Sequence, residues 1–275
     1  MKKVLEKKLR KLKNILKDMK STVLAYSGGV DSTFLLKVAG EVLGRNILAV
    51  TAVSPTYTEE EFKLAKKTAV KFGARHLAVR THEFRNPDFT SNPVNRCYYC
   101  KKELLANLCR IARAKKIRYV IEGTNMDDLA DFRPGMKAVR ETGVRSPLKE
   151  AGFTKDDIRA LSRAMGLPTW DKPASPCLAS RFPYGHRITR KKLEMVREAE
   201  KYLKKQGFPV VRVRHHGEIA RIEVPPGDLG RLCTGRTAGR IAEKLGGIGY
   251  RYITADIMGF RSGSMNPERK RSRGN

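Results

Sequence analysis

The chain is expected to be an α/β protein, a doubly wound parallel sheet followed by a second, smaller α/β domain. Short apolar runs alternate with amphipathic helical stretches from residue 22 to about residue 165, the pattern of strands covered by crossover helices. The first run ends in Ser27-Gly28-Gly29 and opens directly into a helix, where such sheets hold anionic ligands. Beyond Pro173 the alternation stops, and a long helix and a hairpin take its place.

Taken in order, Leu5, Leu9, Leu12, Leu16 and Met19 fall at helical spacing among lysines, which predicts a first helix packed on the domain and no signal peptide. Residues 22–26, 47–53, 76–81 and 118–123 read as buried strands. Helical patterns over 32–43, 59–72 and 101–115 separate them, with Thr58 and Glu61 spaced as a capping box for the second. A last helix over 154–165 ends at Gly166-Leu167-Pro168. The boundary falls near Pro173, giving a nucleotide domain over 1–172 and a second domain over 173–262. In the second domain a helix over 189–206 precedes a hairpin of residues 210–214 and 219–224, with His215, His216, Gly217 and Glu218 in the turn. Residues 263–275 read as a disordered basic tail.

The 275 residues carry 57 Lys and Arg against 28 Asp and Glu, a formal charge of +29. Such a field attracts anions from nucleotides to tRNA but selects none of them, and the cations are mixed with glutamates as on solvated ion-pair surfaces. No apolar run approaches the length needed to span a bilayer, and the expected location is cytoplasmic. Five cysteines without an export signal argue for metal binding or catalysis over a disulfide framework.

In the first turn the two glycines let the backbone approach a phosphate, and Ser27, Ser32 and Thr33 add hydroxyls where helix amides already favour an anion. Asp31 is placed to hold magnesium beside those oxygens. A mononucleotide P-loop would carry a lysine after its last glycine, and none is present. The stretch resembles instead the Ser-Gly-Gly-Val-Asp-Ser signature of PP-loop ATP pyrophosphatases, which cleave between the α- and β-phosphates and adenylylate a substrate oxygen. A second loop, Gly123-Thr124-Asn125, leaves the same sheet edge, so the two are expected to enclose one nucleotide.

Between the domains, Pro176-Cys177-Leu178-Ala179-Ser180-Arg181 holds a cysteine near a guanidinium and a hydroxyl, a setting for a reactive thiolate. Together with the residue 27–32 turn and Glu122-Gly123-Thr124-Asn125, it resembles the LarE family of pyridinium-3,5-biscarboxylic acid mononucleotide sulfurtransferases, which serve nickel-pincer cofactor biosynthesis. The resemblance implies ATP and magnesium as cofactors, with nucleotide contacts from Ala25, Ser27, Gly28, Gly29, Val30, Asp31, Ser32, Gly123, Thr124 and Asn125. It also implies adenylylation of a substrate carboxylate and its displacement by sulfur. Some members of that family sacrifice the sulfur of the cysteine matching Cys177; others bind a [4Fe-4S] cluster through three cysteines and pass on a sulfide.

Cys97 and Cys100 stand at CxxC spacing near a helix start, half of a metal or cluster site, with a zinc half-site or a redox pair as the other readings. With Cys177 as third ligand, the cluster branch is favoured. Cys109 falls on an apolar helix face, and Cys233 reads as structural. Glu200 shares a helix face with Leu193, Val196 and Leu203, explained by a cleft or by an edge position paired with Lys204. Alternation places Arg212 and Arg214 on one face of the first hairpin strand, and Arg221 and Glu223 on one face of the second. The resemblance implies catalytic roles for Cys177, Glu200 and Glu223, and substrate contacts from Ser180, Arg181, Arg212 and Arg214. The expected partners are a small nucleotide substrate, a sulfur donor and further copies of the chain. A tRNA thiolase, an ammonia-using synthetase and a non-enzymatic nucleotide sensor are the competing readings. The first lacks a recognisable RNA-binding extension, the second gives three cysteines no role, and the arginine-lined hairpin and Cys177 argue against the third.

Overall fold

A computed structural model describes residues 2–129, 133–173, 176–261 and 263–265. The expected tail thus lies almost wholly outside the described residues. The chain divides into two units, Met1–Glu83 with Asn95–Ser175, and Phe84–Val94 with Pro176–Asn275.

The first unit is built on four parallel strands, β1 (Thr22–Ala25), β2 (Ile47–Val53), β3 (Arg75–Arg80) and β4 (Tyr119–Ile121), in the order β3-β2-β1-β4. β1 is central, with Thr22 in register with Ile47 on one side and Tyr119 on the other. The winding direction therefore reverses beside β1, the switch point at which doubly wound sheets bind ligands. Strand alternation feeds two cores. Leu24, Ile47 and Ala49 face one side with Leu12, Leu16, Phe34 and Phe153; Val23, Leu48 and Val50 face the other with Leu105, Leu108 and Val120. The first core is covered by α1 (Lys2–Met19), α2 (Val30–Leu43), α3 (Glu59–Lys71), α7 (Pro147–Glu150) and α8 (Lys155–Ala164). The second is covered by α5 (Arg96–Ala114) and α6 (Gly135–Thr142).

The α1 stripe packs as expected, with Leu12, Leu16 and Met19 buried. α3 has its capping box, Thr58 Oγ1 accepting from the Glu61 amide and Glu61 accepting from the Thr58 amide. The expectation that residues 76–81 form a buried strand fails. β3 is the sheet edge, hydrogen-bonded to β2 alone, and most of its side chains are exposed.

The second unit has a three-stranded sheet in the order β5-β6-β7, from β5 (Arg212–His216), β6 (Ile219–Glu223) and β7 (Tyr252–Ala255). β5 and β6 are antiparallel, and β7 joins β6 in parallel. Helix α9 (Arg190–Lys205) packs on β5, and α10 (Leu229–Cys233) and α11 (Gly235–Ile248) complete a core of Leu203, Phe208, Val211, Val213, Ile222 and Leu245. A short helix, α4 (Pro87–Thr90), brings residues 84–94 into this unit. Asn92 Nδ2 donates to the Pro183 carbonyl at 2.7 Å, and the amides of Gly185 and Ile188 donate to the carbonyls of Asn92 and Thr90.

Two expectations for the hairpin and its neighbourhood are corrected. His215 and His216 are strand residues, because the turn is the two-residue Gly217-Glu218 with Gly217 at φ 69°, which carries pairing up to His216 opposite Ile219. His215 is buried between the rings of Phe182 and Tyr250. Cys233, read as structural, ends α10 exposed.

Candidate active site

The turn after β1 is shaped by close contacts. Gly28 has φ 67°, and a Cβ there would lie 2.9 Å from Cβ of Ala65 on α3, so the position accepts no side chain. Ser27 Oγ stands 3.1 Å from Ser32 Oγ and accepts from the Gly29 amide at 3.3 Å, while Tyr57 donates its hydroxyl to the Ser27 carbonyl at 2.6 Å. The loop after β4 closes on the same helix end, since a Cβ on Gly123 would lie 3.2 Å from the Ser32 amide nitrogen.

Both loops line one cavity of about 310 Å³ at the carboxyl edge of the sheet, within the size range of small-ligand sites. Ser27, Asp31, Ser32, Gly123 and Thr124 form one wall; Ala25, Val50, Ala52, Leu104 and Leu105 give it an apolar side. Asp31 receives Lys155 Nζ at 2.5 Å and Asn125 Nδ2 at 3.3 Å. Lys172 Nζ donates to the Gly28 carbonyl at 3.2 Å, and Arg159 holds that lysine's segment through the carbonyls of Trp170 and Lys172. Two lysines thus stand at the turn although the motif itself has none.

Glu122, at the end of β4, is buried and heavily engaged. It accepts from Lys101 Nζ (2.8 Å), Thr124 Oγ1 (2.7 Å), the Thr124 amide (3.1 Å) and Ser146 Oγ (2.5 Å). Burial opposes its charge, but Lys101 and the hydroxyl donors outweigh it and hold its pKa below the usual glutamate value. Nearby Asp128 is shifted upward, by burial first, despite the Asn125 amide and Arg133.

In the second unit the two strands of the hairpin pair with Arg212 opposite Glu223 and Arg214 opposite Arg221, which puts the two faces together. Glu223 is fully buried and accepts from Arg214 (2.6 Å), Arg221 (3.1 Å) and Ser264 (3.1 Å). Arg212 lies 5.3 Å over the Phe260 ring; burial, then the neighbouring Arg181, lowers its pKa. Glu200 pairs with Arg181 and not with the suggested Lys204, because its face of α9 turns inward; it also accepts from the Val213 amide at 3.0 Å. Arg181 Nη1 reaches the Pro176 carbonyl (2.8 Å), the Cys177 carbonyl (3.3 Å) and Ser180 Oγ (2.8 Å). One guanidinium therefore links the Cys177 segment to the buried carboxylate of α9.

Cys97 and Cys100 are the second and fifth residues of α5, exposed and half-buried, and Cys100 lines the cavity. Cys177 is exposed in the second unit, and no disulfide joins the five cysteines. Among the described residues no group of three or more His, Cys, Asp or Glu is gathered as a metal site.

No protein-family model matches the chain. It is 46% identical over 263 residues to an uncharacterized protein of Synechocystis sp., covering 96% of this chain and 98% of that protein. It is 43% identical over 252 residues to pyridinium-3,5-bisthiocarboxylic acid mononucleotide synthase of Lactiplantibacillus plantarum, covering 91% of each. The chain belongs to the LarE family of ATP-dependent sulfurtransferases. A chain of the glutamine-hydrolyzing GMP synthase of Archaeoglobus fulgidus is 25% identical over 218 residues, 74% of this chain and 70% of that one, in keeping with the α/β fold and ATP use.

In this LarE-family chain the structure gathers Ala25, Ser27, Asp31, Ser32, Gly123 and Thr124 around one cavity, and gathers Arg181, Glu200, Arg212, Arg214 and Glu223 into one buried cluster. Lys155 and Lys172 were not singled out from the sequence. Each approaches the turn from more than a hundred residues away, and no local spacing signals that. No helix among the described residues is long and apolar enough to cross a membrane.

Proposed function

We propose that this protein adenylylates a carboxylate of pyridinium-3,5-biscarboxylic acid mononucleotide and converts it to a thiocarboxylate. The observation that carries this reading is the cavity over the Ser27 turn: donors for phosphate oxygens, Asp31 for magnesium, and no P-loop lysine. The carboxylate oxygen attacks the α-phosphorus of ATP, the bond to the β-phosphate breaks, and pyrophosphate leaves. A sulfur nucleophile then attacks the acyl carbon, and AMP departs with the electron pair of the broken C–O bond.

Ser27, Gly29 and Ser32 hold the departing pyrophosphate by hydroxyl and amide donors, and Lys155 and Lys172 supply charge beside it. Arg181, Arg212 and Arg214 suit the carboxylate and phosphate of the acceptor, since guanidinium forks match both. Glu200 and Glu223, expected as catalytic carboxylates, are engaged by guanidiniums, so the proposal gives them the positioning of Arg181 and Arg214. A [4Fe-4S] cluster held by Cys97, Cys100 and Cys177 would supply the sulfur as an iron-bound sulfide. The exposure of Cys177 supports a second route, in which its own thiolate attacks and β-elimination leaves dehydroalanine and the thiocarboxylate.

The test is product analysis with ATP, magnesium and the dicarboxylate mononucleotide, sulfide being supplied. AMP, pyrophosphate and a thiocarboxylate product are expected. ADP and phosphate as the sole nucleotide products would overturn the adenylylation step.

A further inference from the structure

The strands of the first sheet meet a second cavity at their amino ends, the edge opposite the Ser27 turn. It holds about 410 Å³ and takes its polar lining from Ser21 before β1, Arg45 and Asn46 before β2, Arg75 at the start of β3, and Lys115 and Lys116 before β4. Because the four strands are parallel in the order β3-β2-β1-β4, these residues form a row across the whole sheet, about 14 Å from end to end at the usual strand spacing. No Asp or Glu lines the cavity, and its four cations are exposed.

The ordinary uses of surface cations do not account for this row. Among the described residues, none of the four side chains makes an ion pair or a hydrogen bond. Cations near a helix end commonly bond its last carbonyls, as Arg231 does just past α9 with the carbonyls of Gln206 and Gly207. The four at the amino edge reach no such carbonyl. Lys116 also stands just past α5 at φ 54°, the left-handed position where helices favour glycine, and the chain carries a lysine there. Like charges gathered around one concavity repel, and an anion seated among them removes that cost.

The lining narrows the anion. Two guanidinium forks and two ammonium groups in a row suit several phosphate oxygens better than one isolated charge. Ser21 and Asn46, whose side chains have no partner among the described residues, add neutral donors between them. The apolar lining is Ile47, Leu48 and Ile117, with no aromatic ring, so a nucleic-acid strand would find no platform on which to stack its bases. The volume is that of a small-ligand site.

We propose that this cavity is a second anion site, which takes a small molecule carrying two or more linked phosphate groups. Inorganic oligophosphate and the phosphate tail of a nucleotide share that chemistry. The site lies apart from the Ser27 cavity and does not depend on what that cavity binds.

The probe is inorganic triphosphate, titrated by calorimetry into wild type, the double variant Arg45→Gln with Arg75→Gln, and Lys116→Gly. The Ser27 turn also offers phosphate donors, so the readout is the binding event that the variants weaken. Wild type is expected to show one more event than the double variant, and that event is expected to weaken at least about tenfold in Lys116→Gly, the low end for a lost charge-assisted contact. Without anion, neither variant is expected to melt below wild type, since one removes like-charge repulsion and the other suits the left-handed backbone; loss of affinity is then not a folding defect. ATP in place of triphosphate divides the two sources: tighter binding of ATP at the affected event assigns a nucleotide tail, tighter binding of triphosphate an inorganic chain, and either upholds the site. Equal triphosphate affinity in all three proteins would overturn the proposal. So would sulfate binding as tightly at matched ionic strength, which would reduce the row to diffuse charge, or a single-stranded oligouridylate outbinding triphosphate at the event the variants weaken, which would make the edge a nucleic-acid surface.

Discussion

Arg181 and Glu200 form a two-pronged ion pair that is almost wholly buried, Nε donating to Oε1 at 2.8 Å and Nη2 to Oε2 at 3.1 Å. Removing one partner leaves the other charged and desolvated. Arg181→Met alone is expected to cost about 3–5 kcal/mol in chemical denaturation, and the double change Arg181→Met with Glu200→Met much less than the sum of the singles. Additive losses would show that the pair is not coupled.

Asp31 is held by Lys155 and Asn125 in the first turn of α2, just after the Ser27 turn. Asp31→Asn is expected to keep the fold and to lose magnesium-dependent turnover, by at least about a hundredfold for a group that holds the metal on a transferring phosphoryl group. An undiminished magnesium response in that variant would remove Asp31 from the metal site.

Arg212 lies in the guanidinium cluster and stacks on Phe260. Arg212→Ala is expected to weaken binding of the dicarboxylate mononucleotide by about ten- to a hundredfold while leaving ATP affinity nearly unchanged, as titration calorimetry with each ligand would read. Loss of ATP binding with acceptor affinity intact would reverse the assignment of the two ligands to the two units.

His215 is buried between Phe182 and Tyr250, and burial pushes its pKa down to about 4. The folded chain thus binds fewer protons at this ring than the unfolded chain between pH 6.5 and 4. Stability is expected to fall as pH drops through that window. His216, also shifted down by burial, acts in the same direction. His215→Phe should flatten the pH dependence without abolishing it, as urea midpoints at several pH values would show. An unaltered slope would mean that the imidazole is not desolvated in solution.

The cysteines separate the two sulfur sources. With a cluster, alanine at any one of Cys97, Cys100 or Cys177 should abolish both an iron–sulfur chromophore and multiple turnover, and the protein's mass should be unchanged by reaction. With Cys177 as donor, only Cys177→Ala should be inactive, and intact-mass analysis should find the chain lighter by one hydrogen sulfide molecule at that residue.

What the sequence reveals follows the range of the interactions. The Thr58–Glu61 box and the Ser27 turn are legible because their partners lie within a few residues, and the α1 stripe because helical period alone defines its face. Alternation likewise brings Arg212, Arg214, Arg221 and Glu223 to one face once two strands pair. Strand order is not local. Nothing in residues 75–80 tells that β3 has one neighbour, and so its exposure was unreadable. Glu200 was visibly anomalous on an apolar stripe, yet its partner Arg181 lies in an irregular stretch whose path no periodicity gives. The passage of residues 84–94 into the second unit depends on Asn92 and the carbonyls it meets, again at long range.

The contact between Gly28 and Ala65 bears on how the Ser27 turn can be moved between proteins. A six-residue signature transplanted onto another β-strand would carry its glycines with it but not the small residue behind them. Any recipient with a larger side chain at the place of Ala65 would push the turn out of shape from beneath. The portable unit is therefore the turn together with one face of the following crossover helix, and substitutions at Ala65 belong in any survey of variants that lose nucleotide binding with the motif intact.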